Sequence, residues 1–136
     1  MNKIIMVTGN VVKYKLANDI FKEKGLDLIQ EKIETPEIQS YNVEEVSAYS
    51  ALYAAERLNN SVIKSDVGYF IPALNGFPGP FVKYINGMLS SEEILKLLEN
   101  KVDRTIILKE CLTFATPTGE IKQFINEEKA SIALKA

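Results

Sequence analysis

Thr8, Gly9, Asn10 and Lys13 stand together in the stretch TGNVVK, directly after the apolar run IIMV. A strand ending in such a turn and feeding a helix presents free N–H groups and the positive end of the helix dipole, a setting that suits an anion. Gly9 lets a backbone come close, Thr8 and Asn10 carry polar side chains, and Lys13 lies one turn into the helix. The same residues also read as a plain strand-to-helix turn with an Asn cap and a solvated lysine, and alone they favour that simpler reading. The pattern is not a Walker loop, which needs a longer glycine-rich run.

Three further positions could carry chemistry. Asp66, in SDVGYF, follows an apolar strand and is placed to hold a metal or act as a base; its simpler role is a turn aspartate. Gly76, Pro78, Gly79 and Pro80, in NGFPGP, have the chemistry of a tight turn. Lys83 follows on a short helix, aimed either at a phosphate or at water. Glu37, in KIETPEIQ, reads by default as a solvated loop acid.

Composition narrows the field. The chain has 136 residues, 46% of them hydrophobic, with a net charge of −2. That length suits one domain spanning residues 1–136. The slight negative charge argues against a broad nucleic-acid surface, which calls for clustered positive charge, and leaves room for a small anionic ligand held by local lysines. There is no histidine, and Cys111 is the single cysteine. This removes Ser-His and Cys-His catalysis and His-ligated zinc. Cys111 sits in the apolar run IILKECLTFA and reads as a buried, inert thiol. No signal peptide and no stretch near the ~20 apolar residues of a membrane span is evident, so a cytoplasmic protein without membrane contact is expected.

Hydrophobic periodicity places these residues on elements. Residues 4–7 read as a buried strand and 11–24 as a helix capped by Asn10 and stopped by Gly25, with Leu16, Ala17, Ile20 and Phe21 on one face. A second strand is expected over 26–33, a polar loop over 34–42, and a strong helix over 43–58 capped by Asn42, with Val46, Tyr49 and Tyr53 sharing a face. Residues 61–74 read as a strand, a polar break at Ser65 and Asp66, and a second extended piece. A short helix at 81–88 and one at 90–100, capped by Ser90 or Ser91, precede two long strands joined by TPTGE within 103–136. The order predicts an α/β domain with a mixed twisted sheet flanked by helices, binding its ligand at strand C-terminal ends.

Taken in order, VTGNVVK, KIETPEIQ and SDVGYFIPALNGFPGPFVKYI resemble the inosine triphosphate pyrophosphatase family, enzymes that cleave non-canonical purine nucleoside triphosphates. The resemblance covers roughly residues 3–125 and implies a shortened version of that family's fold. It implies metal-dependent hydrolysis of inosine or xanthosine triphosphate to monophosphate and pyrophosphate. Thr8, Gly9, Asn10 and Lys13 would hold the triphosphate together with Ser65, Gly79 and Lys83. Glu37 and Asp66 would bind magnesium (Mg2+), one of them orienting or deprotonating the attacking water, and Lys13 and Lys83 would meet developing charge. Gly76 and Pro78 to Pro80 would shape the cleft floor. The family pairs as homodimers.

The chain departs from the family's pattern in four places. Leu16 stands where a glutamate is usual, Ser65 where the first of two adjacent acids is usual, and a helical lysine is replaced near Ser50. Family members also run further, with F-G-Y-D-P and S-H-R motifs that grip the base; the sequence ends at Ala136 with neither. A thinned carboxylate cluster predicts weaker metal binding. The alternatives to an active enzyme are therefore a catalytically impaired nucleotide- or phosphate-binding homologue and a dimeric scaffold subunit.

Overall fold

The structure is a computed structural model describing residues 3–136. The first apolar run forms strand β1 (Lys3–Val7), with Ile5, Met6 and Val7 buried. Asn10 caps helix α1 (Val11–Glu23), its Oδ1 accepting from the Lys13 backbone N–H at 3.1 Å. Gly25, at φ +72°, lets the chain turn out of that helix. The packing face of α1 differs from the expected one. Leu16 and Ile20 point to solvent, Leu16 being 64% exposed. Tyr14, Ala17 and Phe21 pack against Met6, Leu28 and Ile63 instead. These positions follow i, i+3, i+7 spacing, and the Tyr14 hydroxyl fixes the face by donating to the Leu28 carbonyl at 2.8 Å.

Strand β2 (Asp27–Glu31) pairs parallel with β1, and the polar loop that follows leads to helix α2 (Val43–Leu58). Asn42 Oδ1 accepts from the backbone N–H groups of Glu44 and Glu45 at 2.9 and 3.3 Å. Replacing Asn42 with alanine is expected to lower stability by about 1 kcal/mol, read by urea unfolding. The buried face of α2 is Val43, Val46, Ser47, Ser50, Ala51, Ala54 and Ala55. Tyr49, expected beside Val46, is exposed. Small residues let α2 lie close on the sheet, where a tyrosine would not fit.

The expected break at Ser65 and Asp66 does not occur. Strand β3 (Val62–Phe70) is continuous, because β5 (Thr105–Ala115) pairs antiparallel with every one of its residues. A 3-10 turn at Pro72–Leu74, the short β4 (Pro78–Gly79) and α3 (Val82–Asn86) follow. Helix α4 (Ser91–Leu97) begins with a reciprocal capping box between Ser90 and Glu93, and β6 (Ile121–Ser131) closes the expected hairpin with β5. Leu98, just past α4, is fully buried, whereas Leu97 on the helix is exposed.

Among the described residues six strands form one mixed sheet in the order β2-β1-β3-β5-β6, with β4 added beside β3. β1 pairs with β3 only at Val62 and Ile63, and β4 pairs with it only at Tyr69 and Phe70. Since β5 occupies the other edge throughout, β3 has an open edge from Lys64 to Gly68. The core lies on both sides of β1 and β3, one cluster under α2 and the other under α1. Cys111 is buried as expected, and burial pushes its thiol above the usual value. Among the described residues no helix is long and apolar enough to cross a membrane.

Candidate active site

The start of the open stretch of β3, at Lys64 and Ser65, forms the floor of a cleft of about 530 Å³. Thr8, Gly9, Asn10 and Lys13 line it from the β1–α1 turn, and Lys32, Glu34 and Glu37 from the chain after β2. Lys64 and Ser65 line it from β3, and Lys83 and Tyr84 from α3. Four lysines and two glutamates thus face one space.

At the helix start, capping and anion geometry coexist. Thr8 Oγ1 accepts from the Asn10 N–H at 3.0 Å and Asn10 Oδ1 from the Lys13 N–H, so both side-chain oxygens are used in the turn. The Thr8 hydroxyl proton and the Asn10 amide remain as donors. A Cβ on Gly9 would come within 3.2 Å of Lys32 Cε, so the glycine makes room for that lysine across the turn. Lys13 folds toward the sheet. Its Nζ donates to Ser65 Oγ at 3.3 Å and to Glu110 Oε2, on β5, at 3.2 Å.

Strand alternation separates the next residues. Ser65 faces α1, while Lys64 and Asp66 face α2, opposite Thr113 and Cys111 in the register. Asp66 is not at a strand end, and its side chain lies beneath the cleft wall rather than lining it. It is only 15% exposed, its Oδ2 lies 3.8 Å from Lys64 Nζ, and that oxygen has no hydrogen-bond partner. Burial raises the Asp66 carboxyl above its usual range; the negative charge of Glu37 adds to the rise, and Lys64 and Lys13 oppose it. Glu37 and Asp66 therefore share one electrostatic neighbourhood. Glu37 is held from the far wall: Tyr84 donates to its Oε2 at 3.1 Å, and Lys83 Nζ stands 3.9 Å from its Oε1.

Gly68 sets how closely these walls approach. A Cβ there would fall 2.8 Å from Val43 Cγ2, at the start of α2. The glycine thus admits that helix end, and the Glu37 loop leading into it, against β3. Ser50 anchors the same loop by donating to the Pro36 carbonyl at 2.9 Å. A neutral, buried hydroxyl occupies that helix position.

Gly79 does not line the cleft. With φ +60° it pairs opposite Tyr69 and, with Pro78 and Pro80, borders an adjoining hollow against Phe70 and Phe81. Its effect on the cleft is to direct the chain into α3, which carries Lys83. Sequence reasoning missed Lys32, Lys64, Tyr84 and Glu110. Lys64 was detectable from its i, i+2 spacing to Asp66. Glu110 was not, because its approach to Lys13 depends on the β3–β5 register.

Among the described residues no group of three or more His, Cys, Asp or Glu side chains is arranged to hold a metal ion. Of the acids at the cleft, Glu37 and Asp66 share one electrostatic neighbourhood, and Asp66 carries an orphaned buried oxygen. That donor set suits magnesium, which takes one or two protein carboxylates and completes its shell with water and phosphate oxygens.

The Ham1 family profile matches residues 4–135. The dITP/XTP pyrophosphatase of Methanosarcina acetivorans is 39% identical over 133 residues, covering 98% of this chain and 72% of that protein. The dITP/XTP pyrophosphatase of Methanopyrus kandleri is 39% identical over 131 residues, covering 96% and 70%. The structure of the Staphylococcus aureus Ham1 protein superposes with a TM-score of 0.83 at 25% identity, covering 98% of this chain and 73% of that one.

Proposed function

The chain belongs to the Ham1 family, and from that premise we propose that it hydrolyses nucleoside triphosphates, inosine and xanthosine triphosphates first among them, to monophosphate and pyrophosphate. The observation that carries the reading is the convergence of a helix N-terminus, four lysines and Glu37 on one cleft beside the buried Asp66. A triphosphate brings the negative charge that such a cleft lacks. The free N–H groups of α1 and the Thr8 and Asn10 donors take phosphate oxygens, and Lys13 and Lys83 balance charge as the leaving pyrophosphate departs. Water attacks the α-phosphorus, the bond to the β-phosphate bridge breaks so that pyrophosphate leaves, and the water's proton passes to Asp66. Magnesium held by Glu37 and Asp66 would supply Lewis-acid stabilisation of the phosphate oxygens. Homodimer assembly belongs to the same reading, with β6 as an exposed sheet edge that a second copy could cover.

The test is pyrophosphate release from inosine triphosphate with and without magnesium. Magnesium-dependent release is expected, and no release from inosine or xanthosine triphosphate overturns the reading. One observation favours a second possibility, a nucleotide binder without turnover: Leu16 and Ser65 leave the site with fewer acids, and no cluster of three is arranged for a metal. A triphosphate that raises the melting temperature without yielding product selects that alternative.

A further inference from the structure

Lys64 is an unusual place for a lysine. Its side chain is only 14% exposed, on a strand interior, yet it lines the cleft. Most of its stem is packed away from solvent, and its ion pair with Asp66 spans 3.8 Å, beyond hydrogen-bonding reach. An ammonium placed only to neutralise that carboxylate would be expected to close the gap and satisfy Asp66 Oδ2, which instead has no hydrogen-bond partner.

The other cleft cations differ, and Lys32 is exposed on the chain after β2. Lys13 is already engaged by Glu110 and Ser65. Lys83 is 75% exposed at the rim and faces Glu37. Lys64 alone of the four is carried by the sheet, beside the group that would take the attacking water's proton.

We propose that Lys64 is a substrate-contacting residue, its ammonium binding the phosphate chain of the nucleotide at the floor of the cleft next to Asp66. The inference rests on the triphosphatase reading above. Charge counting supports it: with few acids available for a metal, a floor cation takes over part of the neutralisation of the triphosphate. Its flexible four-carbon stem lets it meet phosphate while staying near Asp66.

The experiment compares wild type with Lys64→Met, which keeps stem volume without charge, and Lys64→Arg, which restores charge. Turnover of inosine triphosphate is measured alongside calorimetric binding of inorganic tripolyphosphate, which needs no catalysis, and thermal melting. Lys64→Met is expected to lower kcat/KM and tripolyphosphate affinity on the order of 10- to 100-fold, the loss expected for a hydrogen bond to a charged group. Lys64→Arg is expected to recover most of both. Unchanged tripolyphosphate affinity in Lys64→Met, or a loss that arginine does not restore and that follows a lowered melting temperature, overturns the inference. If wild type neither releases pyrophosphate nor binds tripolyphosphate, it is the triphosphatase reading that fails.

Discussion

Replacing Asp66 with asparagine is expected to reduce pyrophosphate release on the order of 10²- to 10⁴-fold, the usual contribution of a positioned proton acceptor. The fold is expected to survive. The Asp66 side chain pays no structural role through hydrogen bonding at Oδ2, and an amide has no charge to desolvate. A pH series separates the two effects. The folded-state affinity of Asp66 for its proton is raised above the reference value of 3.8, chiefly by burial. Folding thus favours the protonated form, and that contribution is lost as pH rises through the folded-state value. The stability of wild type relative to Asp66→Asn is expected to fall over that interval and level off above it, measured by urea unfolding at each pH. Unchanged turnover in the variant removes Asp66 from the mechanism.

The second large effect concerns Lys13. Lys13→Ala is expected to weaken inosine triphosphate binding on the order of 10- to 100-fold and inosine monophosphate binding by much less, measured by calorimetry. The selectivity is the informative part, because a lysine at a helix start meets charge that the monophosphate lacks. Its pair with Glu110 is partly solvated, with side chains 43% and 39% exposed, so little stability should be lost with it. Equal losses for the two nucleotides would argue against a phosphate role.

Much of this arrangement was legible in the residues. Asn10 and Asn42 announced both helix starts because a side-chain oxygen before an amphipathic run has a clear purpose there. The hairpin after Asp103 was equally plain, bounded by its turn chemistry. What misled was local polarity. Ser65 and Asp66 look like a break in an apolar strand, yet β5 holds β3 straight through them, and tertiary pairing overrode the local signal. Leu16 and Ile20 misled in the same way on α1, where the Tyr14 hydrogen bond selects a different face. Within the site, Thr8, Asn10, Lys13, Glu37, Ser65 and Lys83 were brought together as the motif order implied. Asp66 came adjacent to them, on the same face of β3 as Lys64 but without lining the cleft, and Gly79 was left outside. Glu110 stayed hidden because nothing nearby in the chain relates it to Lys13.

The stretch of β3 from Lys64 to Gly68, flanked by β5 on one side only, has a thermodynamic consequence. In an extended strand every second residue turns its N–H and C=O away from a given neighbour. At Lys64 and Ser65, which line the cleft, main-chain groups on the open edge have no partner strand and are left to solvent. A ligand that reaches this edge must replace that hydration or lose affinity, a requirement set by main-chain dipoles that no side-chain substitution can delete.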